Sequence, residues 1–192
     1  FGETFGFMRW PGRHPGDGWQ WSLPAGLFAQ FDWSKPSKDL LNADYTFGTS
    51  LSYRHSNSSA RFRFFHQSSH LGDEFLLANP GFNRIDLSFE TFDLLLSQEW
   101  KGMRVYGGAG RLVDVYPSSI KPGTAQGGAE WIPKSVTFGF ARPVIGVDLK
   151  WAQEQEWYRG ISVKAGLELG NPVSGGRKIR FLGEYYDGYF PY

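Results

Sequence analysis

The sequence predicts an all-β fold, an antiparallel transmembrane β-barrel with about ten strands visible, and three observations predict it. Hydrophobic residues alternate at a period of two along most of the 192 residues, helical periodicity is scarce, and one strand reads aromatic, then aliphatic, then aromatic along a single face. Strands are expected near 3–10, 18–33, 42–55, 59–68, 83–99, 103–115, 125–132, 143–154, 160–169 and 177–187, in one domain spanning 1–192.

The second strand carries the clearest signal. In "WQWSLPAGLFAQFDW" one face presents Trp19, Trp21, Leu23, Ala25, Leu27, Ala29, Phe31 and Trp33. Ten steps of about 3.3 Å from Trp21 to Phe31, tilted by about 40°, give a height of roughly 25 Å, the apolar band of an outer-membrane barrel between its aromatic girdles. Alternation alone fits a soluble barrel or sandwich equally well, but those have no need of girdles. The third strand splits into Tyr45, Phe47, Thr49, Leu51 and Tyr53 against Thr46, Gly48, Ser50, Ser52 and Arg54. Near the other end, "ISVKAGLELG" separates Ile161, Val163, Ala165, Leu167 and Leu169 from Ser162, Lys164, Gly166, Glu168 and Gly170. The second set, joined by Asp148, Lys150, Arg180 and Glu184, suits a narrow lumen filled by ion pairs. "YGGAG" (Tyr106 to Gly110) falls inside a strand, where its glycines give the lumen room.

Turn chemistry punctuates these runs. The tight "SNSS" and "WKG" turns are expected in the periplasm, which places segments 34–41, 69–82 and 115–126 outside. The same parity puts both ends of the chain on the outside, so a parent barrel of about twelve strands, with one more strand at each end, is expected. The chain opens on "FGETFGFMRW", which has neither the basic nor the apolar region of a signal peptide.

Composition narrows the function. Lys and Arg total 20 against 19 Asp and Glu with no basic run, so no nucleic-acid partner is expected. There is no Cys, hence no disulfide or thiolate metal site.

Two of the four histidines sit in "FFHQSSHLGDEF", Phe64 to Phe75. On an extended strand Phe62, Phe64, His66, Ser68 and His70 share one face, and Arg61, Arg63, Phe65, Gln67 and Ser69 the other. Unless Phe64–Phe65 forms a bulge, His66 and Ser68 follow the phenylalanines onto the lipid side. Residues two apart lie about 6.5 Å from one another at Cα, close enough for an imidazole to take a hydroxyl proton. The competing reading is a rim where such side chains bond water, headgroups or loop backbone. His66 and His70 are about 13 Å apart on a strand, too far to share a metal ion, so no metal is expected.

"HQSSHLGDEFLLANPGFNRIDLS", with "LLNADYTFG" upstream and "EYYDGYFPY" at the end, resembles a family of uncharacterised bacterial outer-membrane barrel proteins with an H-x-S-S-H-L-G-D-E hallmark. That resemblance implies the outer membrane of a Gram-negative bacterium and assigns no activity. Over one hairpin, "HQSSHLG" followed by "NPGFNRID" is similar to the outer-membrane lipid A deacylases, in which an outward-facing His–Ser pair hydrolyses an ester-linked acyl chain. The similarity implies His66 as general base, Ser68 as nucleophile and Asp86 as the carboxylate orienting the histidine, with Asp73 or Glu74 as substitutes. Ser69 stands where that family has Asn, and the connecting segment is longer. Backbone amides near Ser69–Gly72 would form the oxyanion hole, and no cofactor is required. The expected partners are the lipid bilayer, lipopolysaccharide and other outer-membrane proteins. The alternative is a non-enzymatic barrel, a scaffold within a surface assembly or a narrow channel.

Overall fold

A computed structural model describes residues 1–81, 87–133, 141–170 and 178–189. The alternating runs form ten strands: β1 (Gly2–Pro11), β2 (Gly18–Asp32), β3 (Asp39–His55), β4 (Ser58–Leu71), β5 (Leu87–Trp100), β6 (Met103–Tyr116), β7 (Gly123–Trp131), β8 (Ala141–Ala152), β9 (Arg159–Leu169) and β10 (Ile179–Asp187). Each pairs antiparallel with its sequence neighbours in one sheet ordered β1 to β10. No strand crosses over another, which is the simplest result of joining consecutive strands by short connections. β1 and β10 are the sheet's two edges.

The two faces differ sharply. Trp10, Trp19 and Tyr53 fall on one register row, as do Phe64 and Phe92, and all of them remain substantially exposed except the half-buried Phe64. They touch across strands: Trp19 and Tyr53 at 4.6 Å between ring centroids, Phe64 and Phe92 at 4.6 Å. Such pairs add about 0.5–1.5 kcal/mol each beyond area burial. Among the described residues the buried apolar side chains are only Ala43, Pro133, Ala141 and Val144, while Asp17, Ser22, Asp44, Ser50, Thr91 and Glu168 are buried polar ones. A water-soluble fold does the opposite with its large aromatics.

Charges line the other face, and the sheet curls around it. Phe28 of β2 and Leu182 and Tyr186 of β10 border one cavity of ≈ 1060 Å³ together with Arg104, Asp148 and Lys164. On the same inner face Glu168 accepts from Arg142 Nε at 2.9 Å and from Arg180 Nε at 2.8 Å. Asp148 accepts from the Tyr106 hydroxyl at 2.6 Å and Gln126 Nε2 at 2.7 Å. These are the inward charges expected from parity, and Tyr106 to Gly110 lies within β6 as expected.

The β1–β2, β3–β4, β5–β6, β7–β8 and β9–β10 strand pairs are joined from one end of the sheet, and the β2–β3, β4–β5, β6–β7 and β8–β9 pairs from the other. The two tightest turns do share an end, with Lys101 and Gly102 both at positive φ as a two-residue hairpin loop of the primed type requires. Two of the longer connections share that end as well, so loop length by itself does not orient the sheet. The strands also run further than expected, β3 starting at Asp39 and β4 reaching Leu71.

Beyond β4 the chain forms a helix, α1 (Asp73–Ala78), where a loop was expected. Asp73 and Glu74 in its first turn suit the helix dipole. Gly72, immediately before it, donates its N–H to Leu41 O at 3.0 Å, and a Cβ there would sit 1.7 Å from Leu40 O. Only glycine fits so close a crossing, which presses α1 against β3.

Candidate active site on the outward face

The pairing of β3 with β4 runs without a register shift from Asn42↔Leu71 to His55↔Ser58. No bulge therefore occurs at Phe64–Phe65, and His66, Ser68 and His70 stay on the face of Phe62 and Phe64. Arg61, Arg63, Phe65 and Gln67 border an inner cavity, as the alternation requires. Two register rows define the site: Phe47, His66, Glu90 and Val113 in one, Tyr45, Ser68, Ser88 and Tyr116 in the next. Between those rows β6 carries one extra residue, and Asp114 there has a φ of 47°. Such a bulge bends the strand and re-aims its side chains.

His66 Nδ1 donates to Glu90 Oε1 at 2.9 Å. The carboxylate thus fixes the ring and leaves Nε2 facing away from it, the atom that would receive a proton. Glu90 Oε2 is buried and has no hydrogen-bond partner among the described residues. Ser68 Oγ takes part in no hydrogen bond among the described residues, and Ser88 stands directly across from it. His70 packs its ring against Tyr45 at 6.0 Å.

A groove of ≈ 390 Å³ leads to His66 along this face. Phe5, Leu27, Tyr45 and Phe47 give it apolar walls, and Glu3 borders it as well. With His66, these residues come from β1, β2, β3 and β4. On β6, Arg111 pairs with Phe92 and so shares the outward face with Glu90, one step from Val113 along the strand's face.

Of the residues expected at the site, the structure brings His66 and Ser68 to one face in adjacent rows. Asp86 lies outside the described residues. Asp73 and Glu74 belong to α1, against β3. Ser69, His70 and Leu71 are in the β3–β4 ladder, and the Gly72 N–H is held by Leu41 O. Among the described residues no group of three or more His, Cys, Asp or Glu converges as a metal site.

Glu90 was not singled out from sequence. Its partner is 24 residues away, and only the β4–β5 register joins them. A signal was present nonetheless: in "SFETFDLLLS" Glu90 occupies the parity of Ser88, Phe92, Leu94 and Leu96, a carboxylate on an otherwise apolar stripe.

The chain matches no curated protein and no solved structure. The DUF1207 family, proteins of unknown function, matches across residues 1–192, and the chain belongs to that family.

Proposed function

We propose that this protein is a bacterial outer-membrane β-barrel whose lipid-facing side carries a serine-type acyl-ester hydrolase, with Ser68 as nucleophile, His66 as base and Glu90 as the group that orients the histidine. The observation that carries the reading is the His66–Glu90 pair on the outward face, bordering an apolar groove and one register row from Ser68. A polar pair on a face made for lipid is costly unless it is used. The membrane placement is supported by large aromatics outside and charges inside, the inverse of a soluble core.

In the proposed reaction an acyl chain lies in the groove with its ester carbonyl at Ser68. His66 Nε2 takes the hydroxyl proton as Ser68 Oγ attacks, and Glu90 stabilises the imidazolium that forms. The tetrahedral intermediate collapses, His66 gives its proton to the departing alcohol, and the acyl group stays on Ser68. Water, deprotonated by His66, then releases the fatty acid and restores the serine. The Ser88 hydroxyl, across from Ser68, is the side-chain donor placed to serve the oxyanion. Arg111 on the same face suits an anionic headgroup, as lipopolysaccharide has.

A second reading is a scaffold within a surface assembly, favoured by Leu77 on α1, which is 82 % exposed at the end of the sheet near the site. Mass spectrometry of outer-membrane lipids separates the two. Cells expressing the wild-type chain are expected to lose one acyl chain from a lipid species, and cells expressing His66→Ala or Ser68→Ala to retain it. Identical spectra, with all three proteins folded as judged by heat-modifiable gel mobility, would favour the scaffold.

A further inference from the structure

We propose that the concave face holds a binding site for a small oxyanion that also carries a hydroxyl, with hydrogen phosphate as its simplest member. Three of the four buried side-chain atoms without a hydrogen-bond partner among the described residues are Arg61 Nε, Thr91 Oγ1 and Asp93 Oδ1. All three residues border a single cavity of ≈ 360 Å³. The fourth, on Glu90, belongs to the outward face, so this inference stands apart from the ester-hydrolase reading.

The register shows why these groups meet. Arg63 pairs with Asp93 and Phe65 with Thr91, so Thr91 and Asp93 follow one another on the inner face, with Arg61 diagonal to Asp93. Arg63 Nε occupies Asp93 Oδ2 at 2.8 Å and leaves Oδ1 open. Arg61 feels the attraction of Asp93 and the repulsion of Arg63 and Arg104, and among the described residues its Nε meets no acceptor, Asp93 being bonded through Oδ2 to Arg63 instead. Lys150 borders the same space from β8, and Gly108 and Gly110 contribute no side chain to its wall. The charged groups around the cavity are therefore Arg61, Arg63 and Lys150 against Asp93, a basic excess.

The three open atoms state what the ligand must offer. Arg61 Nε–H requires an acceptor, and the uncompensated guanidinium favours an anion. Asp93 Oδ1, an ionised acceptor, requires a donor. Thr91 can meet either demand. Water satisfies single atoms but does not neutralise Arg61. Hydrogen phosphate and hydroxycarboxylates supply charge, acceptor and donor in one molecule, whereas sulfate at neutral pH has no hydroxyl for Asp93.

Isothermal titration calorimetry of the full chain in detergent micelles at pH 7, with inorganic phosphate and with sulfate, tests this. Phosphate is expected to bind, with sulfate at least about tenfold weaker. Arg61→Gln should weaken phosphate by about tenfold or more and Thr91→Val by a few-fold, each variant keeping its heat-modifiable mobility. Should Arg61→Gln fail to fold, Thr91→Val, which preserves side-chain volume, carries the test. The proposal is overturned by folded wild-type protein that takes up no phosphate, by sulfate binding as tightly, or by folded variants that bind phosphate like the wild type.

Discussion

Glu168 and Glu90 are both carboxylates on strands next to a basic partner, yet their surroundings differ in each respect that matters. Glu168 faces inward, 2 % exposed, with Arg142 and Arg180 on its two oxygens and Lys178 Nζ at 3.7 Å. Glu90 faces outward, with His66 on one oxygen and, among the described residues, nothing on the other. A carboxylate enclosed by fixed guanidinium groups has no capacity left for chemistry and holds β8, β9 and β10 together. A carboxylate tied to a single imidazole, one register row from Ser68, can answer a change of charge on that imidazole. On the proposed function, completeness of the hydrogen-bond shell separates a structural carboxylate from a reactive one in this sheet.

That contrast is sharpened by exchanging each carboxylate for its amide. Glu168→Gln leaves the largely buried Arg142 without its counter-charge, while the exposed Arg180 keeps Glu130 at 3.4 Å, and should cost about 3 kcal/mol of stability. It is read as a fall in the temperature at which the folded gel band converts to the unfolded one. Glu90→Gln should leave stability within about 0.5 kcal/mol of wild type, and that temperature nearly unchanged. Its effect belongs to the reaction, where turnover of an acyl ester should fall by about 10²–10³ because the amide no longer stabilises the imidazolium. Equal loss of stability in the two variants would break the comparison, since both carboxylates would then be structural.

Much of the fold was legible because the strand period is short and local. Ten alternating runs were expected and ten strands are present, with ends displaced by a few residues where β3 and β4 extend toward α1. The helix was not legible: "DEFLLA" spans fewer than two turns, too little to display a period against its polar surroundings. His66 and Ser68 were visible as a pair because residues i and i+2 must share a face. Glu90 was not, because which residue of β5 meets His66 depends on register, and register is set by side chains along the whole hairpin rather than near either residue. The inner site around Arg61 was hidden for the same reason. Parity placed Arg61 and Arg63 inside, and only the pairing of Arg63 with Asp93 reveals which arginine Nε meets no acceptor among the described residues.

The central claim is that Glu90 and His66 activate Ser68 on the lipid-facing side. Its most direct test is intact-protein and peptide mass spectrometry of the folded chain in detergent micelles after reaction with a long-chain alkyl fluorophosphonate, which traps activated serines covalently. The account predicts one adduct, on Ser68, absent from His66→Ala and formed far more slowly by Glu90→Gln. A folded wild-type chain with Ser68 unmodified, or His66→Ala labelled at the same rate, would contradict it.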